Sequence, residues 1–188
     1  MIITLILGSI RPTRESEKPA YYLSNLLQAR GHEVRFLDLR EMKLPVFDSS
    51  AEQLALPEVQ RLISSILESD ATIAVFPEYN HTYSSAFKNA IDFLLKREFL
   101  HQPLGLVAVS NGLVGGARAI SLARASLPTL GAIIMPTAVT IPLVQEAFLD
   151  HTACANPKID GMMQAMITEI EAYAPALKTV REQLAQPK

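Results

Sequence analysis

The sequence predicts an α/β protein: a three-layer sandwich with one five-stranded parallel sheet, strand order 2-1-3-4-5, between two layers of helices. Three observations carry that expectation. β-rich apolar runs alternate with helical stripes along the 188 residues. The first run, IITLIL at 2–7, is continuous, as in a strand buried on both faces of a parallel sheet. No internal repeat, low-complexity tract or long linker divides the chain, so one domain over 1–188 is expected. A chain of this size buries roughly 70% of its unfolded surface without needing staples.

After the first strand and a polar loop, Ala20, Leu23, Leu26 and Leu27 share a helix face, with Pro19 tolerated in the first turn and Gly31 placed to end it. EVRFLDL (33–39) is the second strand. Val59, Leu62, Ile63, Ile66 and Leu67 recur at helical spacing behind Pro57 and lead to the third strand, ATIAVF (71–76), whose apolar run stops at Pro77. Phe87, Ala90, Ile91, Leu94 and Leu95 form the next stripe, with Ser84 or Ser85 as its cap. LGLVAVS (104–110) is the fourth strand. A helix over roughly 117–127 follows, ended near Pro128. AIIMPTAVTI (132–141) is the fifth strand, in which Pro136 demands an edge or an interruption. From Pro157 a long helix carries Met163, Met166, Ile167, Ile170, Ala174, Leu177 and Leu184, and Pro175 is expected to kink it. The irregular segment 142–156 is read as a projection toward a partner subunit.

Hydrophobic residues make up 49% of the chain and charged residues 19%, a globular balance. A net charge of −2 provides no basic footprint for nucleic acid. The single cysteine, Cys154, has no partner for a disulfide or a metal pair, which fits a reducing, cytoplasmic compartment. The apolar start is too short to span a bilayer and lacks a positive leader, so neither membrane nor secretion is expected. His32, His81, His101 and His151 are scattered without ligand spacing, and no metal is expected.

In a sheet of this order the first, third and fourth strands end at one edge, and the crevice lies where helices depart to opposite sides of strand one. Three loops meet there. The first, GSIRPTRESEK (8–18), joins Gly8 and the hydroxyls of Ser9, Thr13 and Ser16 to the guanidinium groups of Arg11 and Arg14, just before a helix with free N–H groups. These are the parts of a phosphate cradle, and equally of a capped polar turn with solvated arginines. The loop is neither a Walker A nor a G-x-G-x-x-G fingerprint. The second, PEYNHTYS (77–84), supplies Pro77, Glu78, Tyr79 and Asn80. The third, SNGLVGG (110–116), supplies Ser110, Asn111, Gly112, Gly115 and Gly116, and its glycines let backbone approach a flat ligand. Together they would frame a planar slot beside an anion site.

GSIR at 8–11, DLREMKLPVFD at 38–48, PEYNHTYSSAFKNAIDF at 77–93 and SNGLVGGARA at 110–119, in that order, resemble the NADPH-dependent FMN reductase family. That flavodoxin-like group includes quinone, chromate and azo-dye reductases. The resemblance implies a flavodoxin-like fold that binds FMN noncovalently, with NADPH or NADH as co-substrate and a flavin, quinone or similar small molecule as acceptor. It implies that Ser9, Arg11 and Ser16 hold the phosphate, with Arg14 in the same loop. Pro77 to Asn80 would pass along the isoalloxazine, and Ser110 to Gly116 would lie at its pyrimidine side. It also implies a homodimer or homotetramer with LPVF (44–47) and Phe148 available for contact. Three departures bear on substrate choice: Ser84 and Ser85 replace a common Pro-Gly, Arg14 and Glu15 alter the phosphate loop, and Asn111 with Leu113 and Val114 makes the third loop more apolar.

With the chemistry supplied by the cofactor, no side chain is assigned as acid, base or nucleophile. Glu78 lacks a partner carboxylate and reads as a loop ligand or an intersubunit contact rather than a base. The alternative function is a nonenzymatic electron carrier of flavodoxin type. Such carriers are strongly acidic, whereas this chain has 19 acidic and 17 basic residues.

Overall fold

The computed structural model describes residues 1–185, the side chains of Lys96 and Ala185 excepted. In chain order the first half comprises β1 (Ile2–Leu7), α1 (Glu17–Ala29), β2 (Glu33–Asp38), α2 (Leu39–Met42), α3 (Ala51–Leu54), α4 (Pro57–Leu67), β3 (Ala71–Tyr79), β4 (Thr82–Tyr83) and α5 (Ser85–Asp92). The second half comprises α6 (Lys96–Phe99), β5 (Pro103–Val109), α7 (Ala117–Ser126), a 3-10 turn (Leu127–Leu130), β6 (Ile133–Ile134), β7 (Val139–Ile141), α8 (Val144–Ala147) and α9 (Pro157–Ala185).

The period-two geometry of a strand sends successive side chains to opposite faces. Ile3, Leu5 and Leu7 of β1, Ile73 and Val75 of β3, and Val107 and Val109 of β5 enter one apolar layer with Leu23 and Leu27 of α1 and Met163, Met166 and Ile170 of α9. Ile6, Ala74, Phe76, Leu106 and Ala108 enter the other, with Leu62 and Ile66 of α4, Phe87 of α5 and Ile120 of α7. Both faces are covered, so the central strands are apolar on both sides apart from buried Thr4 and Thr72. The three-layer α/β architecture is therefore as the sequence predicts.

The main path through the sheet is β2-β1-β3-β5-β6, with β4 paired to β3 and β7 paired to β5. All pairings are parallel except β3 with β4. The five expected strands stand in the expected order, but the strand count is corrected in two places. The expected fifth strand is two short pieces, β6 and β7, both on β5, because Pro136 has no N–H to donate. The carbonyls freed at the break are taken by Arg124, whose Nη2 donates to Met135 O (3.2 Å) and Pro136 O (2.6 Å). The third strand does not stop at Pro77. Its register with β1 ends at Val75, but its register with β5 continues to Pro77, and the chain reaches Tyr79 before turning back as β4. Pro77 is tolerated because β3 has no neighbour on the β1 side there.

Local chemistry sets the helix starts. Ser84 accepts the Phe87 N–H (3.2 Å) and caps α5, and Pro57 opens α4. Leu95 lies outside α5 and is 62% exposed, and Leu184 on the far end of α9 is 59% exposed, so both apolar stripes end sooner than their spacing implies. Met163 and Met166 are core residues. The first half of segment 142–156 packs into the core, while Leu149 beyond it is 78% exposed. Val144, Ala147 and Phe148 are buried against α1, with the Phe148 and Tyr22 rings 5.6 Å apart, so Phe148 is unavailable for a subunit contact. No helix among the described residues is long and apolar enough to cross a membrane.

Two outcomes follow from this packing. The β3–β4 turn has two residues, Asn80 (φ 49°) and His81 (φ 67°), both left-handed, the pattern of a type I′ hairpin. His81→Gly should raise unfolding free energy by about 0.5 to 1 kcal/mol, since only glycine adopts that backbone without steric cost; denaturant titration showing a loss would contradict the turn. Asp70 accepts the Ile2 N–H (2.9 Å) and meets Lys178 (3.4 Å). Burial raises its carboxyl pKa, but these two contacts outweigh that and hold it below the usual carboxylate range. Its contribution is complete above the unfolded-state value and is lost as pH falls through the lowered folded value. Asp70→Ala should cost about 1 kcal/mol near pH 7, and the gap from wild type should narrow toward about pH 3; a gap independent of pH would count against the assignment.

Candidate functional site

β1 ends at Leu7, opposite Val75, and the last link between their chains is the Gly8 N–H donating to Val75 O (2.8 Å). From there the chain swings outward into the first loop while β3 and β5 run on. The notch this leaves is a cavity of about 420 Å3. Ser9, Arg11, Arg14 and Ser16 line it from the first loop, Pro77, Glu78 and Tyr79 from the second, and Ser110, Asn111 and Gly112 from the third. The first and second loops are tied together: Ser9 Oγ and Tyr79 Oη are 3.4 Å apart, and Ser84 Oγ donates to Gly8 O.

Two of the expected residues fall outside this notch. Asn80 occupies the hairpin turn and faces an adjoining open groove of about 940 Å3, which also takes Arg11, Glu78 and Tyr79 in its wall. Gly115 (φ 63°) and Gly116 (φ 86°) are buried beneath the third loop, where a Cβ would lie 2.6 Å from Pro142 N or from Ala108 Cβ respectively. Their glycine character is demanded by packing against β5 and the chain after β7, and it sets the height of Gly112 at the rim. At Gly112 a Cβ would meet only Ser110 Oγ, at 3.4 Å.

Val144 and Gln145 of α8 also line the notch and were missed in the sequence. Their segment has no periodicity to read, yet a signal existed: the loop after a fifth parallel strand must emerge at the same edge as the others. The chain turns there through Leu143 (φ 44°), and the Val144 N–H donates to Ser110 O (3.3 Å).

The charges around the notch are unequally paired. Arg14 forms a fork with Asp38 (2.6 and 2.5 Å) and reaches Glu17 (3.0 Å). Burial lowers its pKa, but the two carboxylates more than offset this and leave it above its usual value. Glu15 pairs with Lys18 (2.7 Å). Glu78 accepts the Ala119 N–H (3.2 Å) in the first turn of α7 and lies 3.8 Å from Arg118, where its charge complements the helix start. Arg11 has no ion pair among the described residues; its guanidinium carbon stands 6.0 Å from the centre of the Tyr79 ring. Arg11 is therefore the notch-lining arginine left without a carboxylate partner among the described residues, whereas Arg14 has two.

Hydrogen-bond capacity is uncompensated in the same place. Ser16 is 2% exposed, and its Oγ has no partner among the described residues. It stands at the N-cap of the 13-residue α1 without making a side-chain cap bond. Nor do the N–H groups of Thr13, Glu15 and Ser16 have acceptors among the described residues. A buried hydroxyl left this way is stabilised by an external partner, and a helix N-terminus with open N–H groups on the half-buried and exposed turn before it, beside a free guanidinium, suits an anion. A phosphate monoester fits this donor set, and a flat ring attached to it would reach the Tyr79 and Gly112 side of the notch.

NADPH azoreductase of Bacillus sp. (strain OY1-2) is 28% identical to this protein over 186 residues, 98% of each chain. The solved structure of FerB, a flavoenzyme NAD(P)H:(acceptor) oxidoreductase from Paracoccus denitrificans, matches with a TM-score of 0.76 and 26% identity over 92% of this chain and 98% of that one. A flavodoxin of Streptococcus pneumonia TIGR4 shares the fold alone, at a TM-score of 0.61 and 14% identity over 92% of this chain and 99% of that one. The model of the NADPH-dependent FMN reductases matches residues 1–146, which take in the three loops that form the notch. With this match the chain belongs to the NADPH-dependent FMN reductase family, and it is an NAD(P)H-dependent FMN oxidoreductase.

Proposed function

We propose that this oxidoreductase binds the FMN phosphate in the notch above α1 and transfers electrons to a small planar organic acceptor of the quinone or azo class. The observation that carries this reading is the unpartnered, buried Ser16 hydroxyl beside the free N–H groups of Thr13 and Glu15 and the unpaired Arg11. Bound there, FMN would supply the redox chemistry that links the nicotinamide to the acceptor.

The residues hold and orient. Ser16 Oγ and the loop N–H groups donate to phosphate oxygens, and Arg11 neutralises their charge. Tyr79 offers a flat wall for the ring, and the open rim at Gly112 admits the ring edge to backbone donors of the third loop, which favour negative charge developing on it. Pro77 fixes the start of the Tyr79 wall, and Ser110 fixes the third loop by accepting the Gly112 N–H (3.0 Å) and carrying the carbonyl that receives Val144. No acid, base or nucleophile is assigned. Both NADPH and NADH are candidate co-substrates.

The active unit is a homodimer or homotetramer. Support comes from the groove of about 580 Å3 beside α5, whose wall includes Ile10 and Val46, 53% and 83% exposed. The LPVF segment is presented there on Asn89, which accepts the Phe47 N–H (2.9 Å) and donates to Pro45 O (2.7 Å). We read the chain as one domain working in the reducing cytoplasm.

Purified protein should take up FMN, turn yellow and consume NADPH when a quinone or azo dye is added; protein that stays colourless in excess FMN would refute the proposal. Ser16→Ala should weaken FMN binding about 3- to 10-fold while leaving riboflavin, which lacks the phosphate, unaffected. An equal loss for both flavins, read by quenching of flavin fluorescence, would remove Ser16 from the phosphate site.

A further inference from the structure

We infer that Arg14 is a positioning residue for the phosphate loop, acting through Asp38, and is not itself a phosphate ligand. The inference rests on the reading of the notch as the FMN phosphate site. A guanidinium has five N–H donors. In Arg14, Nε donates to Glu17 Oε2 (3.0 Å), Nη1 to Ser9 O (2.8 Å) and Asp38 Oδ1 (2.6 Å), and Nη2 to Asp38 Oδ2 (2.5 Å). One N–H remains. The side chain is 4% exposed and that of Asp38 12%. Two carboxylates surround one cation, so the cluster as a whole does not attract an anion, in contrast to the unpaired Arg11.

The partners occupy the points from which a loop is held. Asp38 is the last residue of β2, in register with Leu7, the last of β1, so it is fixed to the sheet. Its Oδ1 also accepts the Arg40 N–H (3.0 Å), which locks the carboxylate at the start of α2. Ser9 opens the phosphate loop and Glu17 lies in the first turn of α1. Arg14 thus bolts both ends of the loop to the edge of β2, and the residues between carry the N–H groups and hydroxyl that face the notch. Within 9–18 the Lys18 N–H to Glu15 O bond (3.2 Å) adds little restraint across the loop's width. Holding the donors in place before the ligand arrives removes an ordering cost from binding. The departures at Arg14 and the DLR start of the 38–48 stretch are two halves of this clamp.

Direct contact and positioning give opposite signs for Asp38→Asn. A ligand arginine freed from its carboxylate would bind phosphate better. A positioning arginine would lose its anchor, and FMN affinity should fall about tenfold. Arg14→Lys keeps the charge and loses the fork, and should weaken FMN as much as Arg14→Ala. Binding is read by flavin fluorescence, with riboflavin as the phosphate-free control expected to change little. A second readout needs no flavin: a glutamate-specific protease should cut after Glu15 or Glu17 faster in both Asp38→Asn and Arg14→Lys, with melting curves confirming that the remainder is folded. Weaker FMN binding with faster cleavage supports the clamp. Asp38→Asn that tightens FMN or leaves it unchanged overturns it, as does cleavage at the wild-type rate. Should Asp38→Asn not fold, Arg14→Lys decides by the same two readouts. If the wild type takes up no FMN, the functional proposal fails, and loop cleavage alone still accepts or rejects the clamp.

Discussion

The site exists because two adjacent parallel strands have unequal lengths. β1 releases its hold on β3 at Val75, and β3 continues along β5 to Pro77 and then, paired with β4, to Tyr79. Parallel pairing forces the chain after each strand to leave at the same edge, so the earlier release of β1 opens a step between the first loop and its neighbours. Everything in the notch is arranged around that step. Ser9 and Gly8 bridge it, Pro77 tolerates the unpaired flank, and the Asn80–His81 hairpin turns the projecting end of β3 back on itself.

Around this step the protein distributes polar groups in two ways. Buried groups remote from the notch are saturated: Gln102, fully buried at the opposite edge, accepts from Thr72 and donates to Ile66 O and Ser69 O, and Thr4 donates to Ser65 O. At the notch, Ser16 Oγ and several N–H groups are left without partners among the described residues. A buried donor that is left open costs free energy unless a ligand meets it. The contrast distinguishes the notch edge of the sheet, where we propose that the flavin binds, from the opposite edge. It also explains why no catalytic side chain stands out, since a bound redox group needs a shaped and charged berth rather than a proton relay.

Much of this was legible beforehand because it depends on short-range physics. Period-two and period-3.6 patterns follow from backbone geometry, so IITLIL, ATIAVF and the Val59 to Leu67 stripe identify their elements at once. Loops with glycine, hydroxyls and arginine at strand ends are readable for the same reason, and ten of the twelve residues expected at the site line the notch. The errors lie where a side chain answers to something distant in sequence. Phe148 is a core residue because α1 offers Tyr22 to it, and nothing between 142 and 156 announces that. Gly115 looks like a loop glycine made for a ligand, and is needed instead where the chain passes under Pro142.

The sequence by itself determined the class of fold, the order of the principal strands and the edge at which the site lies, because these follow from hydrophobic periodicity and from the rule that parallel strands share a polarity. The tertiary structure alone decided how the charged residues of that edge are employed. Arg11 and Arg14 are three positions apart in one loop and alike in composition. One stands unpaired beside Tyr79 and the other is enclosed by Asp38 and Glu17, because the end of β2 is brought against the loop only when the sheet is assembled. Coulombic pairing acts through space, and the partner that fixes a side chain's task lies beyond the reach of any local pattern.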